Sequence, residues 1–174
     1  MKNTDLHITF WLTGRPCSGK STLAERLREE MDKRGIRCVN LDGDDVRGRL
    51  NADLGFSPKD RKENLRRVAH VAQLFNENGN LVIATFITPT NELREMVRGI
   101  ITNFKLCYVR CSPELCERRD VKGMYKKARK GEIKEFTGVS APFEEPVNAQ
   151  LVIDTEAHNL DECIAQILRE LKVP

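Results

Sequence analysis

Short apolar runs alternate with amphipathic stretches along this chain. Ile8 to Thr13 (ITFWLT) is a run of strand length that stops at Gly14. It lacks polar alternation, as strands buried on both faces do. Past Ser21, the residues Leu23, Leu27 and Met31 recur at every fourth position, which predicts an amphipathic helix ended by Gly35. Arg37 to Leu41 reads as the second strand. Leu65, Val68, Ala69, Ala72 and Phe75 fall at helical spacing over Asp60 to Asn78, with Gly79 as the stop. Leu81 to Phe86 is the third strand, and Pro89 blocks its continuation. A helix over Asn91 to Thr102 leads into a strand over Phe104 to Val109. Ser112-Pro113-Glu114 caps the next helix, with Pro in its first turn. Leu151 to Asp154 is the last strand and Leu160 to Leu171 the closing helix.

Strands separated by helices predict an α/β fold, a three-layer α/β/α sandwich with a mainly parallel sheet. No internal repeat or low-complexity linker interrupts the pattern, so residues 1–174 read as one domain. Arg118 to Pro146 breaks the rhythm. That segment is long, rich in charge and weakly apolar, and it reads as a mobile lid.

Composition narrows the choice of partners. A hydrophobic share of 40% and a charged share of 32% fit a soluble globular protein. With 29 basic against 26 acidic residues the net charge is +3, too mild to argue for nucleic acid. Met1 to Asp5 form no basic lead into a signal-peptide core, and no later run approaches membrane-spanning length. A cytoplasmic protein with no membrane partner is the expectation. The six Cys contain no C-x-x-C pair, and three His are available. Cys107, Cys111 and Cys116 invite a metal reading, but Cys107 falls in a predicted buried strand, so reduced thiols are expected.

Gly14-Arg15-Pro16-Cys17-Ser18-Gly19-Lys20-Ser21 matches G-x-x-x-x-G-K-[ST] in full, between a predicted strand and a predicted helix. In such a loop backbone N–H groups turn inward around an anion, and the helix N-terminus adds a favourable dipole. These residues, with Thr22, are the expected ATP site. Lys20 reaches the β- and γ-phosphates, and Ser21 offers a hydroxyl to Mg²⁺. Two positions are unusual: Pro16 removes a backbone donor, and Cys17 stands where a more flexible Gly would be comfortable. No acidic residue ends the third strand either, since Leu81 to Phe86 runs on to Ile87-Thr88. A carboxylate has to come from elsewhere, and Asp42-Gly43-Asp44 after the second strand is the evident source.

Further ordered blocks follow. They are Asp42-Gly43-Asp44-x-x-Arg47, Asp53-Leu54-Gly55-Phe56-Ser57 and Asp60-Arg61-x-Glu63-Asn64-x-Arg66-Arg67. Later come Arg119-Asp120-x-Lys122-Gly123-x-Tyr125-Lys126-Lys127-Ala128-Arg129 and Gly131-Glu132-Ile133-Lys134-x-Phe136-Thr137-Gly138. With the phosphate loop, these blocks make the chain resemble the adenylylsulfate (APS) kinase family from Trp11 to about Thr155. The resemblance implies a P-loop kinase fold, ATP with Mg²⁺, and transfer of the γ-phosphate to the ribose 3′-hydroxyl of adenosine 5′-phosphosulfate, giving PAPS and ADP.

The residue types suit that acceptor. APS joins a flat purine to a sulfated phosphate, so its site needs aromatic faces and cations. Phe56 and Phe136 sit in polar, Gly-flanked loops, and the resemblance implies that they sandwich the adenine; simple anchoring of loops onto the core is the alternative. Arg61 and Asn64, at i and i+3, share a helix face. The resemblance assigns them, with Arg47, to the phosphosulfate and ribose. A solvated charged face is the alternative and competes evenly for Arg66 and Arg67. Asp44 is the candidate for orienting or deprotonating the 3′-hydroxyl and for holding Mg²⁺ through water. A carboxylate near Mg²⁺ and Lys20 stays ionised, so its strength as a base is modest. Asp42 either joins the acceptor site or only caps the following helix. Lys122 is the lid cation expected to reach phosphate or sulfate, completing a catalytic set with Lys20 and Asp44. Ile87, Thr88, Thr137 and Gly138 complete the expected acceptor site.

The chain also departs from that pattern. The family usually reads Phe-Ile-Ser-Pro where this chain has Phe86-Ile87-Thr88-Pro89, so a role specific to the Ser is not carried over. Its loop commonly reads Gly-Leu-Ser-Gly-Ala-Gly-Lys, against Gly14-Arg15-Pro16-Cys17-Ser18-Gly19-Lys20 here. Met124 in place of Leu conserves volume. Relatives on this fold phosphorylate other 5′-modified nucleotides such as cytidine diphosphoramidate, and stacking tolerates pyrimidines. That acceptor, or a non-catalytic nucleotide-binding module, is the alternative reading. A stand-alone kinase is expected. The resemblance allows a homodimer, although no apolar stripe demands one.

Overall fold

Thr9–Thr13 (β1), Cys38–Asp42 (β2), Leu81–Thr85 (β3), Phe104–Arg110 (β4) and Leu151–Asp154 (β5) form one parallel sheet in the order β2-β3-β1-β4-β5. The computed structural model describes residues 6–173. The helices are Lys20–Lys33 (α1), Gly43–Gly48 (α2), Pro58–Glu77 (α3), Asn91–Ile100 (α4), Pro113–Arg119 (α5), Met124–Arg129 (α6) and Leu160–Glu170 (α7).

Alternation along β1 shows why three layers form. Phe10 and Leu12 face one way, into an apolar cluster with Leu23, Leu27 and Met31 of α1 and Ile164 and Ile167 of α7. Trp11 faces the other way, among Leu65, Val68 and Ala72 of α3 and Val97 of α4. Both faces are covered, so β1 reads as a continuous apolar run rather than an alternating one. Trp11 is fully buried and stacks on Phe86 at 5.0 Å between ring centroids. Its indole N–H donates to Thr88 Oγ1 at 2.8 Å, the partner that a buried Trp requires.

Polar caps set the helix starts. Ser57 accepts from the Asp60 amide and Pro58 occupies the first turn, so α3 begins two residues ahead of the predicted Asp60. Asn159 and Glu162 form a reciprocal capping box on α7. The sequence pattern gives no bounds for α2, expected only as a helix that Asp42 caps, and does not reveal α6. Each is six residues long, too short for helical periodicity to register.

Residues 118–146, read from the sequence as a weakly apolar lid, carry α6 and a small core of their own. Tyr125, Ala128 and Phe136 are buried there with Cys111 and Cys116. The far end of the segment is tied to α4. Arg94, only 1% exposed, donates to Glu144 O at 2.6 Å and to Asn91 Oδ1 at 2.8 Å. The Asn91 amide donates to the Glu144 carboxylate at 2.7 Å. No helix among the described residues is long and apolar enough to cross a membrane.

The sheet order reverses direction at β1, with β3 on one side and β4 on the other. In such sheets the crevice beyond the carboxyl ends of the strands, at that reversal, is where ligands sit.

Candidate active site

The loop after β1 turns under tight steric control. A Cβ at Gly14 would lie 2.5 Å from Val109 O and 2.7 Å from Ser18 Oγ, so no side chain fits. Cys17 adopts φ 61°, a left-handed conformation that costs a residue with a Cβ about 1 kcal/mol. The strain expected at this position is therefore real. Bonds from neighbouring elements brace it. Thr155 Oγ1 donates to Ser18 O at 2.9 Å, and Arg119 donates to Thr155 O at 2.9 Å. On another side the Tyr125 hydroxyl donates to Pro16 O at 3.1 Å.

Lys20, the first residue of α1, folds back over the loop and donates to Arg15 O at 2.7 Å and Gly14 O at 3.1 Å. Burial pushes its ammonium down to about 8, against a partial opposing pull from nearby Cys116, Cys17, Asp42 and Asp44. Around it, the amides of the first turn of α1 have no intrahelical acceptor and are open to an anion.

Ser21 donates its hydroxyl to Asp42 Oδ2 at 2.9 Å, and Thr85 donates to the same oxygen at 2.6 Å. The other oxygen, Oδ1, accepts from the Asp44 amide at 2.9 Å and so caps α2. Asp42 thus caps α2, as one of the two readings from the sequence had it, and also lines the cavity beside Ser21. Burial pushes its carboxyl up, but the bonds from Thr85, the Asp44 amide and Ser21 outweigh burial and hold it below the usual range. Two hard oxygens meeting at the start of α1 suit a divalent cation such as Mg²⁺. The carboxylate bonded to Ser21 is Asp42; Asp44, expected to hold Mg²⁺ through water, pairs with Lys122 Nζ.

These groups open into a cavity of about 930 Å³. Every residue expected at the site lines it except Gly14, Arg15, Ser18 and Gly138. The wall on the β2–β3 side carries Phe56, Arg47, Arg61 and Asn64. Phe56 is 57% exposed, and the guanidinium carbons of Arg47 and Arg61 lie 4.4 and 5.5 Å from its ring centre. Arg61 donates to Phe56 O at 2.9 Å and to Glu135 O at 2.6 Å, joining the two loops that carry the aromatic rings. Phe136 is buried edge-on against Tyr125, with ring centroids 5.0 Å apart. So Phe136 anchors its loop while also facing the cavity, and Phe56 lines the cavity as an exposed ring.

Asn64 is held from behind, since Asn51 donates to its side-chain oxygen at 3.0 Å. Arg66 and Arg67 do not line the cavity; both bind Glu63, and Arg67 also grips Asp53 at 2.8 and 3.0 Å. Arg67 thereby ties the Asp53 loop to α3, while Arg66 pairs with Glu63 within the helix. Thr88 is 2% exposed, with φ 34°, and its hydroxyl serves Trp11 and donates to Phe86 O at 3.3 Å.

The opposite wall holds residues that sequence reasoning did not assign to the site: Arg119, Thr155, His158, Leu160 and Cys163. Arg119 lay within a matched block, which was a usable signal. The others follow β5 or sit on α7, and only the sheet order brings them to the loop. All six Cys are free. Among the described residues no cluster of His, Cys, Asp or Glu is grouped to hold a metal ion.

A family model described as adenylylsulphate kinase matches residues 6–154. The chain is 49% identical over 173 residues to an adenylyl-sulfate kinase of Bacillus licheniformis, covering 98% of this chain and 88% of the relative. It is 48% identical over 169 residues to one from Bacteroides thetaiotaomicron, covering 96% and 84%. Its structure superposes with a TM-score of 0.92, at 40% identity, on the Mycobacterium tuberculosis APS kinase solved with AMPPNP and APS, covering 95% of this chain and 97% of that one.

Proposed function

The chain belongs to the adenylylsulphate kinase family, and we propose that it transfers the γ-phosphate of ATP to the ribose 3′-hydroxyl of adenosine 5′-phosphosulfate, giving PAPS and ADP. The observation that carries this reading is one cavity in which Lys20 and the Ser21–Asp42 pair lie between two unlike walls. One wall bears an exposed aromatic ring backed by two guanidinium groups, as a purine joined to anions requires. The relative solved with AMPPNP and APS supports the same pairing of ligands.

The donor triphosphate lies along the loop amides and the start of α1, with Lys20 at its β- and γ-phosphates. When bound, Mg²⁺ neutralises charge on those phosphate oxygens, and Ser21 and Asp42 are the residues that hold it. On the acceptor side, Phe56 and Phe136 flank the adenine, while Arg47 and Arg61 meet the phosphosulfate. Asp44 orients the 3′-hydroxyl and accepts its proton. Lys122, paired with Asp44 across the cavity mouth, neutralises charge that develops during transfer. Little covalent chemistry falls to the protein, and positioning with charge neutralisation accounts for most of the acceleration. Residues 118–146 serve as the lid that excludes water from the transfer.

A coupled ADP-release assay run in parallel with APS and with cytidine diphosphoramidate tests the substrate. Mg-ATP-dependent ADP release with APS alone is expected. Preference for the cytidine compound would replace the acceptor, and no release with either, despite ATP binding, would leave a nucleotide-binding module.

A further inference from the structure

Arg15 occupies the second position of the phosphate loop, yet its side chain turns away from the nucleotide cavity. Its guanidinium carbon lies 4.9 Å from the ring centre of Phe143, which also receives Arg94 at 5.2 Å and stacks near Tyr108 at 6.1 Å. Its Nη1 atom stands 3.2 Å from the point where a Cβ on Gly138 would be. Gly138 has φ +88°, a left-handed conformation, so a glycine there serves both the backbone and the close approach of Arg15. No hydrogen bond or ion pair among the described residues claims this guanidinium; it is held by face contact.

Gly138 closes the short turn that begins at Phe136. Its amide donates to Ala141 O at 2.8 Å, and Phe136 O accepts from the Val139, Ser140 and Ala141 amides. The neighbouring Pro16 carbonyl holds the Tyr125 hydroxyl, and the Tyr125 ring abuts Phe136. Consecutive residues of the phosphate loop therefore grip the Phe136 turn from two directions, through Gly138 and through Tyr125.

We infer that Arg15 is a positioning residue for the acceptor nucleotide, although it sits in the loop that binds the donor. The inference rests on the reading above that Phe136 faces the acceptor base. Arg15 sets the height of the Phe136–Gly138 turn over the cavity, and Phe143 is the surface on which it bears.

Arg15→Ala, Arg15→Lys and Phe143→Leu test this, each measured for acceptor KM, for kcat and for ATP affinity by calorimetry. Arg15→Ala is expected to raise the acceptor KM about five- to tenfold, the range of a partly buried cation–π contact, with ATP affinity within about twofold of the parent and kcat changing less than KM. Arg15→Lys recovers part of the loss, because an ammonium keeps the charge but not the flat face. Combining Arg15→Ala with Phe143→Leu adds little to either alone, as expected for two halves of one contact. An unchanged acceptor KM, or an equal fall in ATP affinity, would overturn the inference. If Arg15→Ala fails to fold, Arg15→Lys and Phe143→Leu carry the same comparison. If the parent chain uses a nucleotide other than APS, the substrate reading fails, while KM for that nucleotide still decides the role of Arg15.

Discussion

Ser21 Oγ and Asp42 Oδ2 meet at 2.9 Å, where the start of α1 reaches the end of β2. Asp42 lies opposite Thr85 in the register of β2 and β3, and Thr85 bonds to the same carboxylate oxygen. The carboxylate missing from the end of β3 thus stands one strand away, steered by the hydroxyl that took its place. Asp42→Asn can keep the cap on Asp44 through its one remaining acceptor oxygen, but it removes the negative charge beside Ser21. Turnover is expected to fall about tenfold to a hundredfold, with a higher Mg²⁺ requirement, as for groups that hold or orient a metal. Initial rates across a Mg²⁺ titration check this; an unchanged Mg²⁺ dependence would remove Asp42 from the metal.

Lys122 and Asp44 are 67% and 76% exposed in their side chains, so their ion pair adds at most about 1 kcal/mol to stability. Lys122→Ala should therefore fold with a melting temperature close to the parent, while turnover drops about a hundredfold from loss of charge at the transferring group. Near-normal kinetics would show that Lys122 only decorates the lid.

Burial places the Lys20 ammonium at about 8, below its ordinary 10.5. Between those values the unfolded chain binds the proton and the folded chain does not, so this residue makes stability rise with pH there. ATP binding runs the other way, because a triphosphate favours the ammonium. Above pH 8 binding is expected to take up a proton and to weaken as pH rises. Calorimetry in buffers of different ionisation enthalpy reads the uptake directly. In Lys20→Arg, whose guanidinium stays charged, the uptake should vanish; its persistence would assign the proton elsewhere.

The two rings proposed to flank the acceptor base differ in what they support. Phe56 is largely exposed, and Phe136 is 9% exposed within the small core it shares with Tyr125 and Cys116. Phe56→Ala is expected to raise acceptor KM with no change in melting temperature. Phe136→Ala should do so and also cost about 3 kcal/mol of stability as a core truncation. Thermal melts beside acceptor titrations distinguish them, and equal stability loss in both would contradict the assignment.

Much of this was legible in residue order. The strands stand within a residue or so of where apolar runs placed them, and the phosphate loop and acceptor blocks converge on one cavity. What stayed hidden depends on neighbours distant in sequence. Asp42 finds Ser21 and Thr85 only because β2 lies beside β3. Thr155, His158 and Leu160 reach the loop only because β5 lies at the other end of the sheet. The small third core draws Cys111, Tyr125 and Phe136 from segments with no shared periodicity, so the apolar content of residues 118–146 looked thin. Arg15 matched the loop motif by position, while its side chain belongs to the contacts of Phe143.

The central claim is that this site phosphorylates the ribose 3′-hydroxyl of APS. The most direct measurement is phosphorus NMR and mass analysis of the nucleotide formed from ATP, Mg²⁺ and APS by the purified chain. The expected result is a new 3′-phosphomonoester on an intact phosphosulfate, formed in step with ADP and lost in Lys20→Ala. ADP release without that product, or a phosphate placed elsewhere on the acceptor, would contradict the account.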